Sequence, residues 1–167
     1  MFKKLSLVFV LFLTACGWHF KNNEMFPAEL RTLSFESADQ YSDMSRILRH
    51  RMLLSDINIV PKAENVANLR LNSTESTSHV ASVFKQAREA EKILSLKVKA
   101  TVTVPNKGSY PLEVSVHRTF FDDSRAALAK SAEQESIIRQ MYEQASHQLL
   151  IKVAGLQKEL SQAKPAQ

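Results

Sequence analysis

From Leu94 to Val104 the chain alternates without a break. Leu94, Leu96, Val98, Ala100, Val102 and Val104 fall on one side, and Ser95, Lys97, Lys99, Thr101 and Thr103 on the other. Successive strand residues point to opposite faces, so this pattern predicts a β-strand with one apolar and one wet face. A second run repeats it: Tyr110, Leu112, Val114 and Val116 alternate with Pro111, Glu113, Ser115 and His117. The link between them, Pro105 to Ser109, carries Gly108, which tolerates the positive φ of a tight connection. The two runs predict an antiparallel hairpin whose apolar face needs a cover.

Two amphipathic segments are available as that cover. Met44, Ile47, Leu48 and Met52 recur at helical spacing, with Ser42 placed to cap a helix running to about Ser55. Arg46, Arg49 and Arg51 lie off the apolar stripe. A longer helix is predicted from about Arg125 to near Leu156, with Ile138, Met141, Tyr142, Ala145, Leu149 and Val153 as its buried stripe. Asp122, Asp123 and Ser124 precede it, as the helix dipole favours, and Gly155 marks its weakening or end.

The remaining segments read as strands or connections. Leu33 and Phe35 alternate within a short strand over 31–36. Residues 66–84 are rich in Ser, Thr and Val and predict a long, partly polar strand, with Leu69 and Leu71 alternating against Arg70 and Asn72. Ile57 to Val60 either begins that strand or forms a separate extension. Lys85 to Lys92 is charged and reads as a turn or crossover, or alternatively as helix. The order β-α-β-β-β-α predicts an α+β two-layer sandwich: two helices on one face of a roughly four-stranded, mostly antiparallel sheet. The other sheet face stays polar.

The first residues constrain location rather than fold. Lys3 and Lys4 precede a run of about nine mostly apolar residues ending at Leu13. That run is too short to span a bilayer, which takes roughly 20 residues. Leu13, Thr14, Ala15 and Cys16 follow, and Cys16 is the only cysteine among 167 residues. This layout resembles a bacterial lipobox, in which cleavage precedes the cysteine. The resemblance implies a diacylglyceryl group on the thiol and an acyl chain such as palmitate on the new amino terminus. Gly17, where an aspartate would favour the inner membrane, implies transfer to the outer membrane. The expected organisation is a signal peptide over 1–15, a lipidated tether over 16–27, one domain over 28–158 and a flexible tail over 159–167. Losing 1–15 removes Lys3 and Lys4, so the processed chain is less basic than the formal +5 of the whole chain. A mild positive balance permits an anionic partner without demanding one.

Catalytic patterns are missing from the sequence. The five histidines, His19, His50, His79, His117 and His147, show no metal-ligand spacing. Three glycines in the whole chain leave no nucleotide-binding loop. His117 reads as a solvated residue on the polar face. Neither an enzyme, a metal nor another cofactor is expected. The basic residues carry more information. Lys85, Arg88 and Lys92 cluster between two predicted strands, Lys97 and Lys99 lie on the polar face, and Lys130 opens the last helix. Such cations suit phosphate oxygens, although a solubilising surface is the plainer reading. Nucleic acid is not an expected partner of an exported lipoprotein. A free-standing outer-membrane lipoprotein binding peptidoglycan or a peptide is the alternative function.

Several short motifs carry a family resemblance in order along the chain. They are Cys16 to Phe20 (CGWHF), Ala81 to Phe84 (ASVF), Ala90 with Glu91, Tyr110 with Pro111, Arg118 to Asp122 (RTFFD), Ala127 to Lys130 (ALAK) and Met141 with Tyr142. Together they resemble the LPS-assembly lipoprotein family LptE (RlpB). The resemblance implies two helices on a four-stranded sheet. It also implies an outer-membrane lipoprotein that plugs the lumen of the β-barrel LptD, helps it assemble, and binds lipopolysaccharide. On that basis Lys85 and Lys130 are the preferred lipopolysaccharide-binding candidates, with Arg88, Lys92, Lys97 and Lys99 secondary. Lys85 stands where some relatives carry arginine, which keeps the charge but loses the planar fork.

Overall fold

The computed structural model of the chain describes residues 26–83, 89–123 and 127–162. Five strands are present: β1 (Thr32–Ser37), β2 (Asn58–Ile59), β3 (Ala67–Val83), β4 (Glu89–Val104) and β5 (Gly108–Asp123). The helices are α1 (Asp43–Leu54), α2 (Ala127–Gly155) and the short α3 (Gln157–Gln162). The strands form one sheet in the order β2-β1-β3-β4-β5. The α+β sandwich holds, with one strand more than expected. Ile57 to Val60 contributes a separate edge strand, β2, rather than the start of β3.

Strand direction follows from the connections. β3, β4 and β5 are antiparallel neighbours, as the alternating runs require. β1 instead runs parallel to both β2 and β3. A parallel pair needs a crossover, and α1 supplies it.

Local chemistry sets the limits of α1. The Ser42 hydroxyl accepts from the Ser45 amide at 3.3 Å, satisfying one unpaired donor of the first turn. At the other end Asp56 takes a left-handed φ of 56°. The Ile57 amide then reaches back to the Met52 carbonyl at 3.0 Å, and the Asp56 amide to Leu53 at 3.1 Å. This is a Schellman closure built on aspartate instead of glycine.

The core lies between the helices and one sheet face. Leu94, Leu96, Val98, Ala100, Val102 and Val104 are all buried, so the β4 alternation is realised in full. Val114, Val116 and Phe120 continue it on β5, while Met141, Ala145, Leu149 and Val153 bring the α2 stripe down onto it. α2 packs along β5 and touches β4, and α1 packs against α2. Met44, Leu48 and Met52 bury the predicted α1 stripe. Each fully buried side chain of this size contributes about 1.5–3 kcal/mol of apolar transfer.

Several boundaries differ from expectation. Phe26 is already buried, two residues before the expected domain start. Asp122 and Asp123 end β5, pairing with Ala90 and Glu89, rather than leading the helix. Glu89 to Lys92 likewise belongs to β4 and not to a turn. Leu160 in α3 is buried, so the packed chain continues past 158. Residues 1–25, with Cys16, and residues 163–167 lie outside the described residues.

Candidate functional site

The predicted cations that lie among the described residues do not share one face. Lys85 and Arg88 lie outside the described residues, between Val83 and Glu89. Lys92 sits opposite Val80 on β3 and Phe120 on β5, in the same row set as buried Leu94. It therefore belongs to the helix side of the sheet. Lys97 and Lys99 are an odd number of residues away and belong to the opposite face.

On that opposite face the two lysines are engaged. Lys97 lies 3.5 Å from the Glu113 carboxylate and Lys99 lies 3.8 Å from that of Glu75. The pairs run diagonally, since Lys97 stands directly across from Glu75 and Lys99 across from Glu113. Four alternating charges cancel locally, so this part of the polar face is not a cationic field. Each half-exposed pair contributes little stability by itself, about 0–1 kcal/mol.

Lys130 is half-buried in the first turn of α2. The β5 strand that leads into this helix ends at Asp123, paired with Glu89 at the start of β4. Lys92 is only three residues further along β4. Topology thus brings Lys92 and Lys130 to one end of the sheet, the end where β3 also finishes at Val83. Phe121, exposed at 66%, and Ile93, at 37%, stand at that end as well.

The opposite end is tied together. The Lys107 ammonium donates to Glu29 Oε1 at 2.8 Å and to the Leu160 carbonyl at 3.1 Å. Tyr110 donates its hydroxyl to the Lys107 carbonyl at 2.9 Å. The β4–β5 turn, with Asn106 at φ 60° and Gly108 at φ 104°, is thereby fastened to the residues preceding β1 and to α3. The hydrogen bond from Lys107 holds the Glu29 carboxyl below its ordinary pKa.

Sequence reasoning missed a second polar cluster. Lys62 lies 2.9 Å from Glu36, whose carboxyl is held below its ordinary value chiefly by that hydrogen bond. A depression of about 260 Å³ beside it is lined by Glu36, Lys62, Asn68, Arg70, Asn72 and Thr101, with Thr103. The strand pattern places Arg70 and Thr101 on the polar face, but the approach of Lys62 depends on β2 lying beside β1. No sequence signal marks that neighbourhood.

His117 is an exposed residue on the polar face, as expected. Its Nδ1 lies 2.9 Å from the Ser95 hydroxyl, directly across the β4–β5 ladder. Ser95 is half-buried, and this is an ordinary polar cross-strand pair. Among the described residues no three His, Cys, Asp or Glu side chains converge as a metal site. No helix among the described residues is long and apolar enough to cross a membrane.

The described residues thus form an α+β sandwich with one wet sheet face, and Lys92 and Lys130 lie near one end of the sheet. The sequence matches the LptE family, described as lipopolysaccharide-assembly, over residues 30–153. A relative from Pectobacterium atrosepticum, named LPS-assembly lipoprotein LptE, is 40% identical over 146 residues, covering 86% of this chain and 79% of the relative. A relative of the same name from Yersinia pestis is 37% identical over 143 residues, covering 84% and 69%. Among solved structures, rare lipoprotein B from Shewanella oneidensis superposes with a TM-score of 0.73 at 32% identity, covering 78% of this chain and 98% of that one. The chain belongs to the LptE family of lipopolysaccharide-assembly lipoproteins.

Proposed function

We propose that this protein is an outer-membrane lipoprotein that occupies the lumen of the β-barrel LptD, helps that barrel assemble, and binds lipopolysaccharide bound for the cell surface. Family membership carries the reading. The physical surface suits it: the lumen of a large barrel is polar, and this sheet turns one face of hydroxyls and balanced charges outward. Cys16 is the proposed lipid attachment point, exposed by removal of 1–15.

Phosphate recognition falls to the sheet end that holds Lys92 and Lys130, with Lys85 and Arg88 from the adjoining connection. Lys97 and Lys99, which face carboxylates at under 4 Å on the polar face, remain secondary candidates. Two measurements on one preparation test the proposal. Tagged full-length chain extracted in mild detergent should bring down LptD in near-equal amount. The double variant Lys85→Asp, Lys130→Asp should keep its circular dichroism yet bind purified lipopolysaccharide at least about tenfold more weakly, as loss of charge-assisted contacts requires. Recovery of the lipoprotein without a barrel, or unchanged affinity in the variant, would overturn the corresponding half.

A further inference from the structure

The two long edges of the sheet are unlike. β5 is an outer strand along its whole length, but its edge is guarded. Pro111 removes one backbone donor from it. Lys152 of α2 donates to the Glu113 carbonyl at 2.7 Å, and Arg118 bonds Gln144 of the same helix. Lysine, proline and a covering helix are the usual means of blunting an edge.

β3 has no such guard beyond its first turn of pairing. β1 pairs with it only from Ala67 to Leu71. From Ser73 onward, no strand among the described residues pairs with the side of β3 facing away from β4. The run Ser73 to Ser82 contains neither lysine nor proline, and Glu75 is its only carboxylate. Two bulges bracket it, between Leu71 and Ser73 and between Val80 and Ser82, leaving Ser73 to Val80 in regular register. Thr74, Ser76 and Ser78 share the face of buried Val98, Leu96 and Leu94, yet are themselves exposed. This stretch thus meets solvent on both faces and one edge.

We propose that the β3 edge from Ser73 to Val80 takes up one extended backbone segment of the enclosing barrel protein as a sixth strand of this sheet. The inference rests on the barrel reading above. Its chemistry selects the occupant. With hydroxyls on both faces there is little apolar surface to cover, so backbone donors and acceptors are what the edge offers, and an extended chain matches them. A second copy of this chain would bring the same polar faces and bury little apolar area, far from what a stable dimer needs. A partner already held by other contacts needs only the register that a backbone ladder gives. The wall strands of a closed barrel have no free edge, so the segment is a loop or terminal stretch of the partner reaching into the lumen.

Hydrogen–deuterium exchange on the intact lipoprotein, free and in its purified barrel complex, tests this. Peptides covering Ser73 to Ser82 should exchange rapidly in the free chain. In the complex they should slow by about tenfold or more, with the guarded edge of β5 changing less. A stoichiometric complex in which this segment exchanges as fast as in the free chain sinks the strand proposal and leaves the barrel reading standing. Absence of any barrel complex removes both. Protection that grows with concentration in the free chain assigns the edge to a second copy and overturns the proposal.

Discussion

Ser45 is wholly buried, yet it is a polar residue beside an apolar stripe. Its hydroxyl lies 2.8 Å from the Ser37 hydroxyl and 2.6 Å from the Asp39 carbonyl, while the Ser42 hydroxyl lies 2.9 Å away. The end of β1 and the first turn of α1 are thus joined through one oxygen. Ser45→Ala should cost about 0.5–1.5 kcal/mol, the net worth of an ordinary hydrogen bond, because Ser37, Asp39 and Ser42 keep access to water and to one another. Urea denaturation checks this, and an unchanged midpoint would show that the network contributes nothing. Ser42 was legible as a cap because capping is local. Ser45 was not, because two of its partners precede the helix, and nothing in helical periodicity distinguishes a buried serine from a solvated one. The same limit hid Asp56, since a left-handed helix end normally announces itself with glycine or asparagine.

At the scale of elements, periodicity carried the reading as far as it could. β4 was legible from Leu94 to Val104 and β5 from Tyr110 to His117, because one side chain in two meets the core there. β3 was legible at Leu69 and Leu71 and then lost its phase. The bulge after Leu71 shifts the helix-side positions to Thr74, Ser76 and Ser78, and hydroxyls on both faces give no parity to follow. Asp122 and Asp123 resembled a helix lead-in because acidic residues serve there as well as at a strand end. Among the candidate cations, Lys97 and Lys99 were placed on the correct face, but their neutralising partners Glu113 and Glu75 come from two other strands. Only register reveals them.

The β4–β5 turn yields an element-scale prediction. Glu29 has a lowered carboxyl pKa, caused first by its bond to Lys107. A lowered folded value means that this stability is fully present above the unfolded glutamate range and fades as pH falls through the folded value. Lys107→Ala should therefore cost about 0.5–1 kcal/mol near neutral pH, kept small because the pair is partly exposed. The gap between variant and parent should narrow below about pH 4. Denaturation midpoints measured across that range decide it. A gap that stays constant would assign the whole effect to the Leu160 carbonyl, which does not titrate.

For the whole molecule, the question is what holds it at a membrane. Cys16→Ala should leave the domain folded, since the core residues that the structure describes begin at Phe26. The variant should no longer incorporate radiolabelled palmitate. Persistent acyl labelling would refute lipid attachment at Cys16. Membrane retention through a barrel partner could survive the change, so labelling rather than fractionation is the deciding readout.

The Lys107 corner has a consequence of distance. It joins the residues before β1 to the β4–β5 turn, so the chain enters the domain at that end of the sheet. Lys92 and Lys130 belong to the other end. β4 from Ala90 to Val104 spans roughly 45 Å at about 3.3 Å per residue. The hydrocarbon layer of a bilayer is about 30 Å thick. The domain is therefore a ruler longer than the membrane's oily interior. Stood along the membrane normal from the proposed anchor in one leaflet, it would carry the end that holds Lys92 and Lys130 to the headgroups of the other.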